Sequence, residues 1–164
     1  FPDLKPTRPG SNMNYWLMKT EPGVFGIDDL MTRPAQTEPW DGVRNYQARN
    51  MMRDQMTVGD QVFFYHSNCQ MPGIVGLARI AREAYTDHTA LDPAHVHYDP
   101  ASTEDHPRWL MVDVQFIRKL GRTISLTELK THPELADLPL VRRGNRLSIM
   151  PVTASQWDFI LTLE

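Results

Sequence analysis

Apolar and polar residues alternate with period two in several short runs of the chain. Residues 15–19 form an apolar-rich run that stops at Glu21-Pro22-Gly23, which predicts an opening strand and a turn. Residues 61–67 set Phe63 and Tyr65 against Val62, Phe64 and His66, and residues 109–117 set Leu110, Val112, Val114 and Phe116 against Met111, Asp113 and Gln115. Both runs predict strands, as do residues 73–80 and the shorter run 147–152. The period changes over residues 45–56, where proline and glycine are missing and Ala48, Met52 and Met56 recur at spacing four. That spacing predicts a helix, with Arg49 and Arg53 as a basic strip beside its apolar face. A single helical turn is expected over residues 26–30, with the two aspartates near its start favoured by the backbone dipole. Another helix is expected after Ser125-Leu126-Thr127-Glu128, which has capping-box spacing. A closing helix over residues 153–161 carries Trp157, Phe159 and Ile160. Short strands with short helices between them predict an α+β fold built on a small curved sheet or barrel. In that frame Trp16 reads as core or barrel wall and Trp157 as packing.

The 164 residues suit one domain, able to build a core without staples. Residues 1–12 carry Pro2, Pro6 and Pro9 and no apolar stretch, and read as a floppy leader or expression remnant before a domain that starts at Met13. No apolar run approaches the ~18 residues of a membrane span. Cys69 is the only cysteine, which excludes an internal disulfide and a cysteine-based metal centre. A reducing, cytoplasmic location is the expectation. The net charge of −3 conceals an asymmetry: Glu83, Asp87, Asp92, Asp99, Glu104 and Asp105 fall in a stretch without lysine or arginine, so the rest of the chain is mildly basic. Such a balance disfavours a grip on a long phosphate track and leaves capture of a short segment or a single base open.

Most chemistry finds no support. His88, His95, His97 and His106 lie among aspartates, but their spacing matches no zinc pattern and Pro93, Pro100 and Pro107 make the segment a solvated loop. No metal site or cofactor is expected. Cys69 has no helix N-terminus before it to activate a thiolate, and neither a G-x-S-x-G elbow nor a phosphate-binding glycine loop occurs.

What remains is polar and aromatic residues concentrated in three stretches: Trp16 through Pro22, Trp40 through Asn50, and Phe63 through Asn68. Each is a strand end or helix start, where backbone donors are free and side chains converge. Tryptophan, tyrosine, histidine and asparagine together suit a flat heteroaromatic ligand, stacked on its face and read along its edge. Arg44, Arg49 and Arg53 around a helix start could hold flanking phosphates. Core roles for Trp40 and Tyr46 fit the same composition equally well.

These stretches resemble the EVE domain. The residues that carry the resemblance are Tyr15-Trp16-Leu17-Met18-Lys19-Thr20-Glu21-Pro22, Trp40-Asp41-Gly42-Val43-Arg44-Asn45-Tyr46-Gln47-Ala48-Arg49-Asn50, Tyr65-His66-Ser67-Asn68, Trp109-Leu110-Met111-Val112-Asp113-Val114 and Asn145 through Val152. The resemblance runs from about Met13 to the C-terminus. It implies a PUA-like β-pseudobarrel with flanking short helices, related to YTH domains. It also implies recognition of a modified base, 5-methylcytosine or 5-hydroxymethylcytosine in DNA or a modified base in RNA. On that resemblance Trp40 and Tyr46 would stack on an extruded base, and Thr20, Asn45, His66 and Ser67 would read its edge. Lys19 and Glu21 would support the polar floor, and Val43, Tyr65, Asn68 and Trp109 would complete the lining. Thr20 replaces a frequent serine and keeps the hydroxyl.

Arg142, Arg143 and Arg146, on a Gly144-Asn145 turn, form a second candidate phosphate contact. Replacing Trp40 by alanine is expected to remove base binding and leave the fold intact. Two other classes use the same pocket: an enzyme acting on a nucleobase with His66 and Glu21 as base and acid, and a small-metabolite sensor. The expected partner is a nucleic acid carrying a modified base, with a separate protein effector to turn binding into an outcome, and no membrane.

Overall fold

A computed structural model describes residues 13–164; the expected leader, residues 1–12, lies outside the described residues. Strand β1 (Tyr15–Thr20) leads into helix α1 (Ile27–Thr32), the short β2 (Thr37–Pro39) and helix α2 (Tyr46–Asp54). Strands β3 (Gln61–His66), β4 (Gly73–Thr86) and β5 (Leu110–Ser125) follow, then α3 (Leu126–Leu129), β6 (Ile149–Val152) and α4 (Ala154–Leu161). The six strands form one sheet in the order β2-β5-β4-β3-β1-β6. Among the described residues only β1 and β3 pair in parallel, with Thr20 opposite His66 at their C-terminal ends. The sheet is mixed and does not close, because β2 and β6 are its two edges. Each edge carries a proline, Pro39 opposite Asp113 and Pro151 opposite Trp16.

Alternation along the strands divides the core in two, because successive side chains leave opposite faces of a sheet. Trp16, Met18, Val62, Phe64, Ala78 and Val112 pack on one face under α1 and α2. Leu17, Phe63, Tyr65, Ile74 and Met150 pack on the other, where α4 brings Trp157 and Ile160. The rings of Phe63 and Trp157 stack with centroids 3.8 Å apart. Trp16 is a core residue, as its position predicts, and its indole Nε1 donates to buried Asp60 at 3.0 Å.

The helices begin where their caps place them. Asn45 is the N-cap of α2, its Oδ1 accepting from Ala48 N at 2.9 Å, and Ser125 caps α3 through Glu128 N at 3.1 Å. Two strands outrun their expected lengths: β4 extends to Thr86 and β5 to Ser125. Their pairing shifts register at several bulges. A bulge breaks the alternation that signals a strand and sharpens the twist, which curves the sheet. No helix among the described residues is long and apolar enough to cross a membrane.

Candidate functional site

A cavity of about 690 Å³ opens where β1 and β3 end, within the roughly 300–1,000 Å³ of small-ligand sites. Lys19, Thr20 and Glu21 leave β1 along one wall and Ser67 follows β3. The segment before α2 supplies Trp40, Asp41, Gly42, Val43 and Arg44, and the loop before β6 supplies Arg146, Leu147 and Ser148. The two approaches are tied by the Lys19 amide, which donates to the Ser148 carbonyl at 2.8 Å. Ser67 N donates to Thr20 O at 2.8 Å and carries the parallel pairing one residue past β3.

Of the residues expected to form a base pocket, Lys19, Thr20, Glu21, Trp40, Val43 and Ser67 line this cavity. Trp40 is also a core residue, 8% exposed, with its ring edge-on to Phe64 at 5.6 Å and to Phe25 at 6.3 Å. Truncating it opens the core, so Trp40→Ala cannot leave the fold untouched as the sequence suggested. The Thr20 hydroxyl donates to Phe25 O at 2.8 Å and fixes the turn after β1. Burial pulls the Lys19 ammonium below its usual value.

The other expected lining residues lie elsewhere. Tyr46 is half exposed on α2 and stacks on Trp109, centroids 4.7 Å apart. Guanidinium groups lie over both rings, Arg49 over Tyr46 at 4.7 Å and Arg44 over Trp109 at 5.4 Å. The Trp109 indole donates to Asp99 at 2.6 Å. Asn45 spends its side chain as the α2 cap. Tyr65 faces the opposite core, and burial pushes its hydroxyl up to about 12. Asn68, with φ of 50°, reaches back to donate to Glu21 at 3.3 Å. His66 Nε2 accepts from Ile27 N at 3.1 Å at the start of α1, and burial lowers its pKa. The lone pair that a general base would use is occupied in this arrangement.

The cations divide in the same way. Arg44 and Arg146 line the cavity. Arg44 is clamped: it pairs with buried Asp87 at 3.0 Å and donates to His97 O from Nη2 at 2.7 Å. Burial alone would raise the Asp87 pKa, but bonds from Thr89, Gly42 N and Arg44 bring it below the ordinary carboxylate value. Arg49 binds Asn50 and the Arg108 carbonyl, Arg53 pairs with Asp54, and Arg142 reaches Asp137 at 3.5 Å. These three and Arg143 stand away from the cavity lining.

Residues outside the three sequence stretches complete the walls. Phe25 arrives from the turn after β1, Arg33 and Glu38 pair at 3.0 Å beside β2, and His97 comes from the acidic loop. Asp87 holds that loop by accepting from Gly42 N at 2.9 Å. None of these contacts had a cue in the sequence, where Asp87 is one of six acids in the stretch without lysine or arginine.

The geometry defines a class first: an α+β domain with an open mixed sheet and a polar-rimmed, partly aromatic cavity at the ends of its parallel strand pair. The chain belongs to the EVE domain family, whose model matches residues 14–163. Mouse thymocyte nuclear protein 1 is 51% identical over 173 residues, covering 94% of this chain and 76% of that protein. The structure of human THYN1 protein in complex with 5-methylcytosine containing DNA is 50% identical, with a TM-score of 0.86, covering 92% of this chain and 96% of that one. A YTH domain from Zygosaccharomyces rouxii shares the fold at a TM-score of 0.52 and 13% identity, covering 95% of this chain and 92% of that one. Relatives named as nuclear proteins overturn the expectation of a cytoplasmic location. Nucleus and cytoplasm are both reducing, so a single cysteine could not separate them.

Proposed function

We propose that this protein is a reader of modified bases, with 5-methylcytosine in DNA as its first ligand and no chemistry of its own. The observation that carries the reading is the cavity at the ends of β1 and β3, with Trp40 in its wall and Lys19, Thr20, Glu21 and Ser67 along one side. An extruded base packs against the small part of Trp40 that reaches the cavity wall. Glu21 accepts from the exocyclic amine of cytosine, as carboxylates do in base recognition, and Lys19 and Ser67 donate to its ring acceptors. Val43 and Leu147 offer apolar surface to the 5-methyl group. Such a contact discriminates by about 1–3 kcal/mol. Together these contacts offset the few kcal/mol needed to extrude a base. The human relative crystallised with 5-methylcytosine containing DNA supports this choice of base. A binding module of this kind hands its outcome to a separate protein effector.

The test is fluorescence anisotropy with labelled DNA and RNA oligomers carrying one cytosine or one 5-methylcytosine, competed by free nucleosides. The expected result is about tenfold tighter binding of the methylated DNA, lost in Ser148→Phe, which fills the cavity from a loop. Equal binding of both cytosines, or full binding by folded Ser148→Phe, overturns the reading. Free 5-methylcytidine competing as well as the oligomer would make the protein a metabolite sensor.

A further inference from the structure

The loop that brings His97 to the cavity also brings His95. Side-chain ligand atoms of Asp41, His95 and His97 all lie within 4.8 Å of one another, and the two imidazole centroids are 5.1 Å apart. We propose that these three residues bind a divalent transition-metal ion of the zinc class on the wall of the cavity.

Three independent features support a site. The first is an orphan: His97 Nδ1 is shielded from solvent and has no hydrogen-bond partner among the described residues. A buried lone pair of this kind calls for a partner, and a metal ion supplies one. The second is construction. His97 is held through its carbonyl by Arg44 Nη2, Arg44 by Asp87, and Asp87 by Gly42 N next to Asp41. Gly42 has φ of +78°, and a Cβ there would stand 2.5 Å from His97 Cε1. The ring occupies the space that only glycine leaves, which fixes Asp41 and His97 side by side. The third is donor chemistry. Two imidazoles and a carboxylate suit zinc and its neighbours, whereas calcium and magnesium prefer oxygen donors throughout. Three protein ligands leave a coordination position for water or a ligand oxygen.

Sequence spacing could not reveal this set, because Asp41 joins the two histidines from a different loop. At His95 the Nδ1 lone pair accepts from His97 N at 3.0 Å, so coordination exchanges that bond for a metal bond and draws the three ligands closer. Asp41 and His97 also line the cavity, yet the site needs nothing in the cavity to form.

The experiment is a titration of tag-free, metal-stripped protein with Zn(II), followed by calorimetry and by long-range ¹H–¹⁵N spectra of the six histidines. One equivalent is expected to bind, shifting the ring nitrogens of His95 and His97 and leaving His66, His88, His106 and His132 unmoved. Asp41→Asn and His95→Gln, each with an unaltered backbone spectrum, are expected to weaken Zn(II) about tenfold or more. Cys69→Ser is expected to bind normally. Absence of saturable binding, loss of binding in Cys69→Ser, shifts at the other histidines, or full affinity in both ligand variants each overturns the proposal.

Discussion

Arg44 and Asp87 meet at 3.0 Å, the carboxylate fully buried and the guanidinium on the cavity wall. The pair joins the segment before α2 to the acidic loop and sets the position of His97. Removing one partner of a buried pair leaves the other charge uncompensated, which costs about 3–5 kcal/mol. Arg44 keeps a quarter of its side chain in water, so Asp87→Asn is expected to lose about 3 kcal/mol in urea unfolding, at the lower end of that range. Because the folded Asp87 pKa lies below 3.8, its contribution is complete above 3.8 and disappears as pH falls through the folded value. Acid unfolding of Asp87→Asn is expected to have a shallower slope in that range.

His66 titrates in a milder window. Burial holds its folded pKa below 6.5, so the unfolded chain takes up the proton first as pH falls. Stability is therefore full above pH 6.5 and declines as pH drops through the folded value. His66→Gln keeps an acceptor for Ile27 N and cannot titrate. Its unfolding midpoint is expected to stay flat over that window while the parent's falls.

Gly42 combines a left-handed backbone with a ring packed against its α-carbon. Gly42→Ala is expected to destabilise the fold by about 1–3 kcal/mol from backbone strain, with added displacement of His97. Thermal unfolding measures the first, and the His97 ring resonances report the second.

Arg146 lines the cavity from the loop before β6 and, like Lys19, carries no ion pair among the described residues. If it holds a backbone phosphate, Arg146→Ala weakens all DNA oligomers alike and reduces the slope of log K against log salt by about 0.9. An unchanged slope would assign it to the surface alone. Stability is expected to be unaffected.

The strands and the α3 cap were legible because their signals are local. An apolar run marked β1, period two marked β3, and the capping-box spacing at Ser125 announced α3, whereas the caps Asn45 and Thr153 were not read as such. The far halves of β4 and β5 were hidden by bulges and by polar residues such as Arg82, Glu83, Arg118 and Lys119, which break the alternation. Half of the cavity was visible in the same local way, at Lys19-Thr20-Glu21 and Trp40-Asp41-Gly42-Val43-Arg44. Tyr46 shows the limit. It lies two residues beyond Arg44, but on entering α2 its side chain turns toward Trp109 instead of the cavity. His97 was missed for a different reason: its place depends on the buried Asp87 reaching Gly42, a contact between distant segments that no periodicity encodes.

The prolines at the two rims of the sheet bear on how the protein behaves in a crowded solution. An unclosed sheet offers its outermost strands as templates for a further strand from another chain. Here one outermost strand is three residues long and ends at Pro39, and the other is four residues long with Pro151 inside it. Each proline lacks the N–H that a docking strand would need at that step. The sheet can stay open without recruiting its neighbours, and an exposed rim need not become a seed for aggregation.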